Sequence, residues 1–290
     1  MTDCPQSPRP DAMLDLDAYL ARIGYSGARV PDEATLRALH RHHPEAIAFE
    51  NLTVLAGRPV PLDRDSLQRK LVAEGRGGYC FEHNLLFAGA LEALGFEVTG
   101  LAARVLWGTD DARQPLPEGE LRPRTHMLLI VRCGGATFLA DVGFGGLTLT
   151  APLAFEPGVE QATPHEPFRI VRHGEQFKLQ ARLGEEWRSL YQFDLVRQLQ
   201  VDFEVLNHFV ATHPSSHFRT TLIAARPAAD RRYALLDNRL TVRLLGGGEE
   251  RRELGSAEEL RAVLAREFRI HVPRDAATEE ALRRVVAKAS

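Results

Sequence analysis

The chain has 290 residues, 44% hydrophobic and 26% charged, a balance that excludes wholesale disorder, and its length predicts two or three packed subdomains rather than one core. Acids and bases are well mixed at a net charge of −3, which announces neither a basic face for nucleic acid nor a polybasic run for lipid, so a small molecule is the expected partner. Three cysteines, Cys4, Cys80 and Cys133, stand far apart without C-x-x-C spacing, no segment has membrane-spanning length and the N-terminus lacks a secretory layout, so the expectation is a cytoplasmic protein without a disulfide framework or zinc site.

After a short polar tail, Leu14, Leu16, Tyr19, Leu20 and Ile23 recur at helical spacing and Gly24 closes the segment. A second helix is expected from Asp32 or Glu33 to about His43, and a third from the Asp63–Ser66 region to Gly75. From Cys80 onward, Phe81, Leu85, Leu86, Ala88, Leu91 and Leu94 mark a fourth helix ended by Gly95. The pattern then changes to short β runs: FEVTGLAARVLW, HMLLIVRC, ATFLADVGF, FRIVRHG, QFKLQARL and EWRSLYQF, separated by glycine or proline turns, which predict a barrel or a sandwich. The polar stretch GTDDARQPLPEGELRPR between Trp107 and Thr125 reads as a long exposed loop. A short helix is expected around Asp202 to Phe209, followed by two strands, RYALLDNRLTVRLL and a partner after the glycines at 246–248. A helix opened by a Ser256–Glu259 capping box and a last one over about Thr278 to Lys288 complete the chain.

RGGYCFEHN, Arg76 to Asn84, carries the chemistry. Glycines at 75, 77 and 78 allow a sharp turn into the helix, and a cysteine in a first helical turn lies near backbone N–H groups that have no intrahelical partner. Such donors, with a histidine close by, favour the nucleophilic thiolate. A nucleophile needs a base, and the base needs an orienting acceptor. THMLLIVRCGGATFLADVGFGG reads as a β-hairpin turning at Gly134–Gly135, which sets Cys133 opposite Ala136 and Leu128 opposite Asp141. Residues two apart share a face, so His126 and Asp141 become diagonal neighbours about 7–8 Å apart, within reach of a side-chain hydrogen bond. Asp141 would hold one imidazole nitrogen and leave the other to take the proton of Cys80. Taken singly, the three read as a buried small residue, a satisfied histidine and a turn aspartate; taken together, they make a site.

RGGYCFEHN, THMLLIV and ADVGFGG, in this order, resemble the arylamine N-acetyltransferase family. AFENL at 48–52, AARVLWG at 102–108, FDLVRQLQVDFEVLNHF and HPSSHFRTTLIAARP are similar to further family segments, so the likeness runs from about Leu14 onward. The resemblance implies an α+β fold around a cysteine-protease-like Cys-His-Asp core. Its parts would be an N-terminal helical bundle carrying the nucleophile loop (1–95), a central β-barrel carrying His and Asp (96–205), and an interdomain segment with a C-terminal α/β lid domain (206–290). It implies that Cys80 accepts an acetyl group from acetyl-CoA, with His126 as base and Asp141 as its orienting acid. An arylamine, arylhydrazine or arylhydroxylamine would then take the group in a ping-pong reaction that needs no metal. Gly143, Phe144, Gly145 and Gly146 match a loop that lines the family's site and contacts CoA. Phe218 matches a position at the cofactor cleft, and Glu50 with Arg76 an ion pair bracing the cysteine loop. Arg197–Gln198 and His208–Phe209 depart from the family pattern, which bears on the amine accepted.

The same triad serves thiol hydrolases and macrocycle-forming amide synthases, which stand as alternatives, whereas a mere binding protein on this scaffold would be expected to lack a triad member. His40, His42 and His43 in LHRHHPE read as a solvated helix end rather than a metal site, since no thiol or carboxylate stands at ligand spacing; His208, His213 and His217 read the same way. GFGGLT is no dinucleotide fingerprint, and no G-x-x-x-x-G-K-S/T occurs.

Overall fold

The computed structural model describes residues 14–108 and 122–289. Cys4 and most of the polar loop expected after Trp107 lie outside them. Helix α1 (Leu16–Ile23) starts on the Asp15 side chain, and α2 (Glu33–Ala46) on that of Asp32, which accepts the Thr35 N–H at 2.8 Å. Pro44 suggests an end near His43, yet α2 continues past it, and the Ile47 N–H still closes on the His43 carbonyl. β1 (Phe49–Glu50), α3 (Leu52–Leu55) and α4 (Arg64–Leu67) follow, α4 widening into a π-type turn over Gln68–Ala73. Helix α5 (Cys80–Ala93) is buried on nearly every side and accordingly central: Cys80, Phe81, Phe87 and Leu91 lie among Tyr19, Leu36 and Leu39.

The middle of the chain is one eight-stranded antiparallel sheet in the order β5-β4-β3-β2-β9-β8-β7-β6. Its strands are β2 (Glu97–Val105), β3 (His126–Cys133), β4 (Ala136–Ala140), β5 (Leu153–Ala154), β6 (Glu160–Gln161), β7 (Phe168–His173), β8 (Gln176–Leu183) and β9 (Glu186–Phe193). All the expected β runs are present, and the sheet curls into a nearly closed barrel. Where its edges meet, the Gln161 side-chain amide accepts from the Ala154 N–H and donates to the Ala154 carbonyl, each at 2.8 Å, in place of a ladder. The β3–β4 register is the one read from sequence, with Cys133 opposite Ala136 and Ile130 opposite Leu139. Gly134 and Gly135, at φ 57° and 78°, supply the left-handed pair that a two-residue turn of this type requires. One face of the hairpin (Leu128, Ile130, Leu139) fills the barrel, and the other (Met127, Leu129, Val131, Phe138) packs into the helical core with α5.

Helix α6 (Gln200–Thr212) is longer than the segment expected, runs through position 205 and sends Phe203 and Val210 into the helical core. A second sheet follows, of β10 (Ile223–Ala228), β11 (Arg231–Leu236), β12 (Arg239–Leu244) and β13 (Glu249–Glu253), in the order β1-β10-β11-β12-β13. Here the sequence reading needs correction. RYALLDNRLTVRLL is a hairpin rather than a single strand, turned by Asp237 at φ 52°, a conformation aspartate tolerates. Strand β10 holds Pro227, which argues against a strand; β1 pairs only with Ala224 and Ala225, so the missing N–H of Pro227 falls where no β1 bond is due. Helices α7 (Ala257–Arg266) and α8 (Ala276–Ala289) cover one face of this sheet through Leu260, Leu264 and Leu282. The Ser256 hydroxyl accepts the Glu259 N–H at 3.1 Å, while the Glu259 carboxylate reaches the N–H of Gly255. Among the described residues no helix is long and apolar enough to cross a membrane.

Candidate active site

Cys80 is the first residue of α5, and the turn before it is stitched to β1: the Glu50 N–H donates to the Gly78 carbonyl at 2.7 Å. At the helix start the Glu82 carboxylate accepts the Tyr79 N–H at 3.0 Å and pairs with Lys70 at 2.6 Å. Beneath lies the expected Arg76–Glu50 pair, buried, at 2.9 Å. Burial pushes the Glu50 carboxyl up, but Arg76 and Lys70 outweigh it and hold it below its ordinary value. Removing one partner of such a pair strands a buried charge, at about 3–5 kcal/mol, so these side chains fix the backbone that presents Cys80.

His126 opens β3 and Asp141 follows the last residue of β4. Their side chains meet at 2.7 Å, Nε2 to Oδ2, both buried. Asp141 Oδ1 accepts from Asn84 Nδ2 at 3.0 Å and from the Gly143 N–H at 2.9 Å. Asn84 is one helical turn beyond Cys80, so the helix that bears the thiol also holds the acid. Burial draws the His126 imidazole down; the Asp141 charge and hydrogen bond, helped by the neighbouring Cys80 sulfur, overturn that and push its pKa up to about 10. Burial likewise raises Asp141, and its pairing with His126 more than reverses this. The site therefore sets a cation beside the sulfur at neutral pH. The thiol itself donates to the Thr125 carbonyl at 3.5 Å.

A Cβ on Gly143 would stand 2.9 Å from the Cys80 Cα and 3.0 Å from Asn84 Nδ2, so only glycine lets this loop come so close to the cysteine. The loop is braced from behind: Thr148 Oγ1 accepts the Phe144 N–H at 3.1 Å, and the Thr148 carbonyl accepts from Arg232 Nη2 at 3.1 Å. Glu166 clamps Arg232 at 2.6 Å.

A cavity of about 1110 Å³ reaches Cys80. Its wall includes His126, Gly143, Phe144, Gly145, Gly146 and Phe218, so every residue expected at the cofactor cleft lines the cavity that reaches the cysteine, while Asp141 stands behind the wall, fully buried. Phe144 meets the His126 ring edge-on at 5.2 Å, and Phe218 packs on Tyr79 at 5.9 Å. The far end of the cavity is the uncovered face of the second sheet, with Arg239, Arg243 and Arg251. Of the positions that depart from the family pattern, Phe209 lines the cavity and Arg197, Gln198 and His208 do not.

Three contributors escaped the sequence reading. Tyr191 on β9 packs on His126 at 4.8 Å, its buried hydroxyl near Asp141 without a formed hydrogen bond; nothing in the strand pattern singles it out. Asn84 did carry a signal, its spacing of four from Cys80. The third is a correction. LHRHHPE is no solvated helix end: His40 and His43 are fully buried and His42 is half-buried. Leu36 and Leu39 begin an inward stripe that positions 40 and 43 continue at helical spacing. His43 Nδ1 bonds the Tyr19 hydroxyl at 2.8 Å and its Nε2 bonds His83 Nδ1 at 3.0 Å; His83 Nε2 reaches the Ala48 carbonyl at 3.1 Å. Among the described residues no group of three or more His, Cys, Asp or Glu is placed to hold a metal ion.

Residues 32–277 match the N-acetyltransferase family model. The arylamine N-acetyltransferase of Mycolicibacterium smegmatis is 45% identical over 257 residues, covering 87% of this chain and 91% of that protein. That of Escherichia coli is 41% identical over 258 residues, 89% of each. The solved structure of the Mycobacterium marinum arylamine N-acetyltransferase in complex with CoA has a TM-score of 0.87 at 42% identity, covering 93% of this chain and 99% of that one. With the likeness running through the helices, the barrel and the second sheet alike, the chain belongs to the arylamine N-acetyltransferase family.

Proposed function

We propose that this protein moves an acetyl group from acetyl-CoA to an arylamine, arylhydrazine or arylhydroxylamine by a ping-pong route through acetyl-Cys80. The observation that carries the reading is the His126–Asp141 pair at 2.7 Å, set beside a cysteine that a large cavity reaches. The Cys80 thiolate attacks the thioester carbonyl, the C–S bond to CoA breaks, and the departing sulfur takes a proton from the His126 imidazolium. The amine then attacks the acetyl-Cys80 carbonyl, His126 takes the amine proton, and the Cys80 sulfur is released. Asp141 keeps the ring in one orientation through both halves. Thioester exchange is nearly balanced in energy, so the protein supplies a charged sulfur, exclusion of water and donors for the tetrahedral oxyanion; the Cys80 N–H, at the positive end of α5, is the donor we assign.

In this reading Gly143, Gly145, Gly146 and Phe218 contact CoA, the ligand held in the M. marinum structure, and Phe144 walls the aryl group. Residues 1–95 bring the nucleophile, 96–205 the base and acid, and 206–290 close the cleft. A reducing cytoplasm is the working compartment, since the chemistry requires a free thiol.

Intact-protein mass spectrometry after acetyl-CoA alone, then after adding an arylamine, tests this. An acetyl increment should appear on Cys80 and vanish with the amine, and Cys80→Ala should show none. Hydrolysis of acetyl-CoA that outpaces transfer to every amine tried would identify a thiol hydrolase instead. Turnover only of substrates that carry acyl group and amine on one chain would identify an amide synthase.

A further inference from the structure

Strand β4 ends at Ala140 and pairs with β5 only through Phe138 and Leu139, so Asp141 lies beyond both ladders and its backbone N–H has no strand to pair with. That N–H donates to His40 Nε2 at 3.1 Å, across 101 residues of chain. For Nε2 to accept, the His40 proton must sit on Nδ1, and Nδ1 is buried without a hydrogen-bond partner. His40 packs edge-on against Phe87 at 5.7 Å, a contact that an apolar side chain could make without stranding a polar atom. The orphaned Nδ1 therefore has to be offset by what Nε2 does.

We propose that His40 is a positioning residue for the triad: its Nε2 anchors the Asp141 backbone, so that a carboxylate already held by Asn84 and Gly143 meets His126 at a fixed angle. This rests on the triad reading above. The charged and titratable groups around His40 are Asp141, His43 and Arg37, and burial holds its imidazole neutral, its pKa pulled down to about 3. The neighbouring chain has the opposite tautomer: His83 donates through Nε2 to the Ala48 carbonyl, which makes its Nδ1 the acceptor for His43 Nε2–H.

Two measurements separate anchoring from packing. Nitrogen-15 spectra of the histidine rings in the wild type at pH 7 should show His40 as the Nδ1–H tautomer and His43 and His83 as Nε2–H; His40 found protonated, or as Nε2–H, overturns the proposal. His40→Leu removes the acceptor and His40→Gln offers an oxygen in place of Nε2. We expect kcat to fall about tenfold in His40→Leu with KM for both substrates within about twofold, the pH of half-maximal Cys80 alkylation to move upward, and most of both changes to be recovered in His40→Gln. Wild-type kcat and alkylation profile in His40→Leu, or equal impairment in both variants, would reduce His40 to packing. Should His40→Leu not fold, the wild-type ring tautomer and the His40→Gln profile still distinguish the two roles. A failure of the triad reading looks different, because the wild type itself would then not become acetylated on Cys80.

Discussion

His126 and the His40–His43–His83 group are the same side chain at the same depth, all essentially without solvent exposure, yet their protonation is pushed in opposite directions. Burial draws His40 down to about 3 and His83 to about 4, and holds His43 well below its ordinary value. His126 suffers the same burial and ends near 10, because a carboxylate stands at 2.7 Å where the others meet a backbone N–H, a phenol and one another. Depth discharges an imidazole, and one well-placed carboxylate recharges it. The fold thus keeps a charged histidine beside the Cys80 sulfur, in front of neutral ones that hold the frame.

Asp141→Asn would break the contrast most severely. Without the carboxylate, burial governs His126 as it governs the others, and acetyl transfer should fall ~10³–10⁴-fold, with slow Cys80 alkylation at pH 6 and a urea midpoint near that of the wild type. Near-normal turnover would mean that another group orients His126.

Acid titration of stability probes the neutral side. His40, His43 and His83 have folded pKa values below the ordinary 6.5, so their contribution is intact above pH 6.5 and is lost as pH falls toward about 4 and then 3. His126 runs the other way, its contribution complete below 6.5 and lost as pH rises toward about 10. Between pH 6 and 5 these three histidines should take up nearly three protons on unfolding, each worth up to about 1.4 kcal/mol per pH unit, with the half-buried His165 and exposed His217, also drawn down, adding to the slope. His83→Gln should reduce it by one proton; an unchanged slope in urea titrations would contradict a neutral His83.

The smallest effect is expected at the far end of the histidine chain. Tyr19→Phe leaves His43 Nδ1 without its 2.8 Å donor and should cost about 1–2 kcal/mol in urea unfolding, while kcat stays within twofold. A large loss of kcat would mean that the neutral group takes part in the chemistry.

What could be read along the chain was whatever depended on neighbours in sequence. The His126–Asp141 pairing was legible because a hairpin with a glycine turn fixes its own register, and Cys80 because glycines and a helix start stand next to it. The histidines of LHRHHPE were misread although Leu36 and Leu39 marked the buried face, since only their fitness as metal ligands was weighed and their place in the helical period was not. The β11–β12 hairpin was misread because its turn lacks glycine, and no strand was expected at β10, whose proline is harmless only beside a partner as short as β1.

By itself the sequence determined the element types, the hairpin face shared by His126 and Asp141, and a cysteine at the head of a helix, all set by dihedral preference and local periodicity. Only the tertiary structure decided that His40 meets Asp141, that Tyr191 backs His126, that Arg232 braces the Gly143–Gly146 loop, and that β1 joins the C-terminal sheet. These contacts join residues far apart along the chain: Tyr191 meets His126 by ring packing, while the others satisfy buried polar groups wherever packing has placed a partner, and no local pattern encodes either.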